Sequence, residues 1–384
     1  MKQSFVGAGK MGESADEWEP LVVQASVLPR FSMIAGRWVA VLAVVLGVAT
    51  IAYFSVQDRL VLSSASKGVD RARAFFIFGD SYADVGNIPG GQPNEYPYGT
   101  TWPGYPAGRF SDGHIQPDYL AMQIPGCKSP PAFANSSVKT LFQGANFAVG
   151  GAGMTYAYGA PTLGTQVSWF EAVVQSGVYT KEFLASSVTL FCASGNDYAT
   201  YQGDLEKYVA FIEEIVSMIS DSLQKLYNLG LRNIMVTTLS PMDCLPPSTV
   251  LTNYTSCAYN GMVEDVEIRH NMYLETTLTS LSKDLPGVNF VLLRQGDALK
   301  EIQNNNILYN ISEPLRPCCS GFCGGVGQTG NLLYTLCENP ENYVLWDDVH
   351  PTQAAWDNVV KLYVNDEAYT TFAPTLLHWT ENLP

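Results

Sequence analysis

The sequence predicts an α/β protein: a three-layer α/β/α sandwich built on a central five-stranded parallel sheet. Two observations carry that prediction. Short apolar runs rich in β-branched and aromatic residues recur along the chain, as strands buried on both faces do, and they alternate with stretches of helical periodicity able to cross from one strand to the next. Composition agrees with a large packed core, since 47% of the 384 residues are hydrophobic and only 15% charged. In a sheet of this kind ligands bind at the carboxyl ends of the strands.

The candidate strands are Ala74–Phe78, Ala145–Val149, Val188–Ala193, Asn233–Thr238 and Val288–Leu293. Between the third and fourth lies the clearest helix. Leu205, Tyr208, Val209, Ile212, Ile215, Val216, Ile219, Leu223 and Leu226 share one face, and Gly230 is placed to stop it. A second periodic stretch, Val263–Leu281, precedes the fifth strand, and Pro351 suits the first turn of a final helix.

Ahead of these elements, residues 1–37 read as a disordered tail, Trp38–Val56 as an uncharged run of about the length that spans a bilayer, and 57–73 as a linker. One domain, 74–384, follows. A cleaved signal peptide has a short leader, so 37 preceding residues favour an uncleaved signal anchor. A buried core helix fits less well, because the run is apolar all round and is followed by the polar stretch Ser63–Arg73. Basic residues flank it on both sides and fix no orientation.

A formal net charge of −15 repels phosphates, which argues against nucleic acid and anionic membrane surfaces as partners and leaves neutral substrates unaffected. Cysteines at 127, 192, 244, 257, 318, 319, 323 and 337 lack the accompanying histidines of a zinc site and read as disulfide formers. Acceptor sequons at Asn135, Asn253 and Asn310 point to the same compartment, the secretory pathway, with a secreted or membrane-anchored catalytic domain.

Two segments carry chemistry. Phe75–Phe78 is a buried strand running into Gly79-Asp80-Ser81, which sets a serine at the sheet's carboxyl edge, its Oγ towards substrate and its N–H towards a developing oxyanion. Seen alone, Ser81 reads equally well as a helix cap. In Trp346-Asp347-Asp348-Val349-His350 the imidazole follows Asp347 by three residues, close enough for one turn to put the carboxylate beneath the ring, where it would fix the tautomer and stabilise the imidazolium. Asp348 fits that turn less well, and an exposed acidic turn before a capped helix is the plain alternative. Two further segments end candidate strands and offer oxyanion donors: the glycines of Val149-Gly150-Gly151-Ala152-Gly153 and the amide of Asn196 in Gly195-Asn196-Asp197. Each alone reads as an ordinary turn.

In that order the segments resemble the plant-type branch of the GDSL lipase/esterase family, of the SGNH hydrolase superfamily. The resemblance rests on FFIFGDSYADVGN at 75–87, GANFAVGGAG at 144–153, GND at 195–197 and WDDVHPT at 346–352, and extends through GRFSDGHIQPDYLA at 108–121, TTLSPMDCLPP at 237–247, HNMYL at 270–274 and PCCSGFC at 317–323. It implies a flavodoxin-like fold, Ser81 as nucleophile, Asp347 and His350 as its partners, and an oxyanion hole from Ser81, Gly151 and Asn196, with Gly150 the alternative to Gly151. No metal or organic cofactor is implied. The remaining block residues, Asp80, Asp84, Asn87, Asp118, Asp197 and His270, are expected to support the scaffold, Cys192 to be an inert buried thiol, and Cys244 to pair with Cys257. Tyr82 stands where the family name has leucine, and the long tail with its apolar segment is a departure on which the resemblance says nothing.

The resulting expectation is a serine ester hydrolase acting on a small-molecule, lipid or acylated-carbohydrate ester through an acyl-serine. A lumenal carbohydrate O-acyltransferase would use the same triad with a sugar hydroxyl in place of water, and a catalytically silent cell-surface binding protein would keep only the fold.

Overall fold

The apolar runs become strands β1 (Phe75–Gly79), β2 (Gly144–Asn146), β3 (Val188–Cys192), β4 (Asn233–Thr237) and β5 (Asn289–Leu293) in a computed structural model that describes residues 73–193, 195–257 and 261–384. All five are parallel and lie in the order β2-β1-β3-β4-β5. The chain divides into two units, Met1–Val69 and Asp70–Pro384, and every described residue belongs to the second. The tail, apolar segment and linker expected over residues 1–72 lie outside the described residues. Among the described residues no helix is long and apolar enough to cross a membrane.

Period-two alternation explains the layers, because successive side chains of a buried strand enter opposite cores. Phe76 and Phe78 point to one face with Phe191, Ile234, Val236 and Leu292, and Phe75 and Ile77 to the other with Leu190, Met235, Val291 and Leu293. Helices α1 (Gln116–Gln123), α2 (Leu163–Gln175), α3 (Tyr208–Asn228), α4 (Gly261–Asp284), α5 (Gln295–Asn304), α6 (Gln353–Asn365) and α7 (Leu376–Glu381) close the sandwich. The first core takes Leu163, Val167 and Phe170 of α2, Ile212 to Leu226 of α3, and Leu274 and Leu278 of α4. Leu120, Leu299, Ile302, Trp356, Val359 and Trp379, from α1, α5, α6 and α7, fill the second. Each such large side chain stabilises the fold by about 2 kcal/mol through the apolar area it removes from water.

Local signals set the helix ends. After α3, Gly230 takes φ +117°, the Gly230 N–H bonds Tyr227 O at 3.0 Å and the Leu231 N–H bonds Leu226 O at 3.2 Å. That paired closure is the one a left-handed glycine permits, and the two leucines it brings together are both buried. At its start the apolar face is narrower than expected, since Leu205–Lys207 is a 3-10 turn and Val209 is exposed. Pro351 precedes the N-cap Thr352 of α6 and so sits just outside the helix rather than in its first turn.

The expected five-stranded parallel sheet needs one correction. Beyond α5 the chain forms β6 (Glu313–Pro317), β7 (Cys319–Val326), β8 (Leu332–Leu336), β9 (Tyr343–Leu345) and β10 (Thr370–Thr371), and β10 adds to β5 as a sixth, antiparallel edge strand. Two residues are too few to display a period. β7 and β8 form an antiparallel hairpin, and β6 pairs with β9.

Cysteines 244 and 257 are bonded to one another, as are 318 with 337 and 319 with 323. Cys192 is buried at the end of β3. Asn135, Asn253 and Asn310 are all exposed, as glycan acceptors must be.

Candidate active site

In a sheet ordered 2-1-3-4-5 the crossover connections leave to opposite sides between β1 and β3, and the carboxyl ends of those two strands flank the resulting crevice. Ser81 follows β1 and Asn196 follows β3. Gly79 leaves room for β3 beside it, for a Cβ there would sit 2.6 Å from Cys192 O. Its backbone is clamped by the Gln166 amide, which accepts from Gly79 N–H at 2.9 Å and donates to Gly79 O at 2.8 Å.

A helical turn begins at Asp80, whose carbonyl accepts from Ala83 and Asp84 N–H. The first N–H groups of such a turn have no acceptor behind them. Asp80 Oδ1 takes that of Tyr82 at 3.1 Å, while no described group accepts from Ser81 N–H. Buried Asp84 draws in the next loops: its Oδ1 accepts from Gly86 and Asn87 N–H at 2.8 and 2.7 Å, and its Oδ2 from Gly150 N–H at 2.9 Å. Burial pushes the Asp84 carboxyl up to about 6 against the pull of these bonds. With Gly150 N–H occupied, Gly151, at φ +79°, has the amide of the pair that no described group uses. Asn196 donates one amide hydrogen to Ala152 O at 2.8 Å and keeps the other. Asp197 fixes the same loop, accepting from Met154 N–H and from the N–H and hydroxyl of Thr155.

The Trp346–Thr352 turn is closed by Trp346 N–H on His350 O at 2.7 Å and by a bridge between Leu345 and Pro351. Within it Asp347 Oδ1 accepts from Val349 and His350 N–H at 3.0 and 2.9 Å, and both carboxylate oxygens lie 2.8 Å from His350 Nδ1. Burial works to raise the Asp347 carboxyl, but the His350 charge and these bonds outweigh it and hold the group below the usual carboxylate range. A carboxylate on Nδ1 leaves Nε2 of the neutral ring as the acceptor.

Two rings flank the imidazole: Phe110 stacks on it at 4.7 Å and Tyr82 meets it edge-on at 5.9 Å. The Tyr82 hydroxyl donates to Val349 O at 2.6 Å, which ties the residue after Ser81 to the residue before His350. Among the described residues no hydrogen bond joins the Ser81 hydroxyl to the imidazole. The residues expected to form the site therefore gather at one edge, with serine and histidine linked through Tyr82.

Tyr82 and Phe110 lie in blocks that carry the family resemblance, and Tyr98 in a loop expected to line the pocket, but nothing in the sequence puts any of the three in contact with the His350 turn. Tyr98 donates to Asp347 Oδ2 at 2.8 Å; it lies in the Gly90–Trp102 loop, where no periodicity marks a buried residue. Asp118 and His270, two of the block residues expected to support the scaffold, are bound within the protein. Asp118 is held by Arg109 Nε on Oδ2 and Nη2 on Oδ1, each at 2.8 Å, and His270 bonds the Tyr198 hydroxyl at 2.7 Å while burial pulls its imidazole down to about 4. Asp243, Cys244 and Cys257 cluster as metal ligands would, but the two sulfurs are bonded to each other and offer no thiolate. A surface hollow of about 730 Å³ lined by residues between Asp366 and Pro374 contains none of the site groups.

Residues 75–362 match the model of the GDSL-like lipase/acylhydrolase family. The chain belongs to that family. Two GDSL esterase/lipases of Arabidopsis thaliana are 35% and 36% identical to it over 310 and 301 residues, spanning 75% of this chain in each case and 85% and 87% of the relatives. A GDSL lipase of Tanacetum cinerariifolium is 28% identical over 331 residues, 81% of this chain and 89% of the relative. As a member of the GDSL family the chain is a carboxylic ester hydrolase, and its α/β sandwich is the fold that membership implies.

Proposed function

We propose that this GDSL hydrolase cleaves its ester through a covalent acyl-serine on Ser81. His350 Nε2 takes the Ser81 proton as Oγ adds to the carbonyl; Asp347 holds the ring and offsets the imidazolium charge. The N–H groups of Ser81 and Gly151 and the second Nδ2 hydrogen of Asn196 receive the tetrahedral oxyanion. The imidazolium then protonates the departing alkoxide, and the neutral ring activates water to release the acid and restore Ser81.

One observation carries this reading. The bond from Tyr82 to Val349 O joins the β1 loop to the Asp347–His350 turn, which stands 267 residues away along the chain. Unengaged hydroxyl–imidazole pairs are common in enzymes without substrate and close when it binds. Residues 74–384 are read as the catalytic domain, and three disulfides with three exposed sequons support a lumenal or extracellular setting for it. Ser81→Ala tests the mechanism. Hydrolysis of p-nitrophenyl esters should vanish while the thermal transition stays in place, and turnover retained in the mutant would remove Ser81 as nucleophile.

A further inference from the structure

We propose that Tyr98 is a positioning residue for ester hydrolysis, its phenol holding Asp347 Oδ2 so that the carboxylate keeps one orientation beneath the His350 ring. This rests on the roles of Asp347 and His350 given above. Oδ1 has two backbone N–H donors besides the imidazole, whereas Tyr98 is the one donor other than the imidazole that the described residues give Oδ2. Losing it would leave a buried carboxylate oxygen free to swing, and an oxygen without a donor in a dry site is costly.

The phenol is built into place. Tyr98 is fully buried, its ring edge-on to Trp346 at 6.0 Å and to Phe110 at 6.3 Å, and Phe110 is the ring stacked on His350. Its N–H bonds Glu95 O at 3.1 Å. The next residue, Gly99, has φ +72°, and a Cβ there would lie 2.2 Å from Tyr105 O, so only glycine lets the chain turn directly after the tyrosine. On the outer side the loop is docked to the disulfide-bonded hairpin: the Gln92 amide donates to Cys323 O, and the Tyr334 hydroxyl to Tyr96 O. Burial, with the Asp347 charge beside it, holds the phenol well above its ordinary range, so it stays a neutral donor throughout an assay.

A donor on Asp347 also draws charge from the carboxylate and so weakens its support of the imidazolium. Removing the donor must make His350 easier to protonate and move the acid limb of the kcat/KM profile to higher pH. The other titratable groups near this pair are Asp348 on the same turn, and Tyr82 and Asp80 from the β1 loop. Asp112, on the segment whose carbonyls bind the 99–102 backbone, is engaged by Gln353 N–H and the Ser111 hydroxyl. None of these bonds to the Tyr98 hydroxyl.

Tyr98→Phe keeps the ring and deletes the donor. With p-nitrophenyl butyrate, kcat should fall on the order of tenfold, the scale of one hydrogen bond to a charged group, with KM little changed. The acid limb should rise by roughly half a pH unit. In an Asp347→Asn background the same change should cost nothing further. Fluorotyrosine introduced at position 98 alone is a stronger donor that keeps the fold, and it should move the acid limb the opposite way. If Ser81→Ala is inactive but Tyr98→Phe and the fluorotyrosine protein both reproduce the wild-type profile, the phenol is only packing and the proposal is overturned while the triad stands. If Ser81→Ala is active, the triad assignment falls and this proposal falls with it.

Discussion

Asp84→Asn separates holding the oxyanion loop from holding the fold. The wild-type carboxylate accepts three N–H groups, those of Gly86, Asn87 and Gly150. An asparagine has one oxygen, so whichever way its amide faces, an NH2 group confronts at least one of these donors. The favoured rotamer keeps Gly86 and Asn87 satisfied and orphans Gly150 N–H, a loss of about 1–3 kcal/mol for a buried donor. Against this, burial pushes the Asp84 carboxyl from 3.8 to about 6, so its ionised form costs the fold about 3 kcal/mol at pH 8, a cost the neutral amide avoids. The two effects offset, and the melting temperature at pH 8 should stay within a few degrees of wild type. Activity has no such compensation. Once Gly150 N–H is released, the turn that aims Gly151 N–H is loose, and loss of one oxyanion donor lowers kcat on the order of a hundredfold. Steady-state kinetics on p-nitrophenyl butyrate beside thermal melts at pH 8 read both quantities. A wild-type kcat in Asp84→Asn would refute the idea that Asp84 orients the Gly151 donor.

Other outcomes follow from the same contacts. Asn196→Ala should lower kcat on the order of a hundredfold with little change in KM if, as proposed, its spare amide hydrogen serves the oxyanion; a proportional rise in KM would make it a substrate-binding group instead. Two carboxyls should lower stability as pH rises, their combined effect exceeding the opposing rise up to about pH 6.5 from His270, whose imidazole burial pulls down from 6.5 to about 4. Burial pushes Asp84 to about 6 and Glu267 to about 7, in the latter case against the pull of Lys300. A carboxyl raised in this way binds its proton more tightly in the folded chain. Its stabilisation is complete below the unfolded values of 3.8 and 4.5 and is lost as pH rises through 6 and 7. Melting temperature should therefore decline between pH 5 and 8, and Glu267→Gln and Asp84→Asn should each flatten the decline; a decline of unchanged slope in both mutants would remove these groups as its source.

The parts of this architecture legible in the sequence are those where one physical rule acts alone. β1, β3, β4 and β5 are buried on both faces, so their apolar runs stand out, and α3 must bury one stripe, so its periodicity does too. β2 ends at Asn146, short of the expected Val149: Phe147 N–H still bonds Ile77 O and Val149 N–H bonds Gly79 O, but Gly79 N–H goes to Gln166 Oε1 instead of the Phe147 carbonyl that would continue the ladder. The β7–β8 hairpin is not marked in the sequence because glycine and exposed residues fill it, so neither alternation nor apolarity shows; two disulfides and a small cluster with Tyr98, Phe110 and Trp346 hold it. Four of the site segments were visible because short loops at strand ends carry their chemistry in consecutive residues. Tyr98, Phe110 and the choice between Gly150 and Gly151 were not, since each depends on a contact between loops distant in sequence. The Asp84 bond that occupies Gly150 N–H spans 66 residues, and the Tyr98 bond to Asp347 spans 249.

Covalent labelling gives the most direct trial of the convergence of Ser81 with His350. Incubation with a fluorophosphonate, followed by proteolysis and mass spectrometry, should place a single adduct on Ser81 in the wild-type protein, with labelling slowed by orders of magnitude in His350→Ala. An adduct on any other residue, or undiminished labelling of Ser81 without the imidazole, would contradict it.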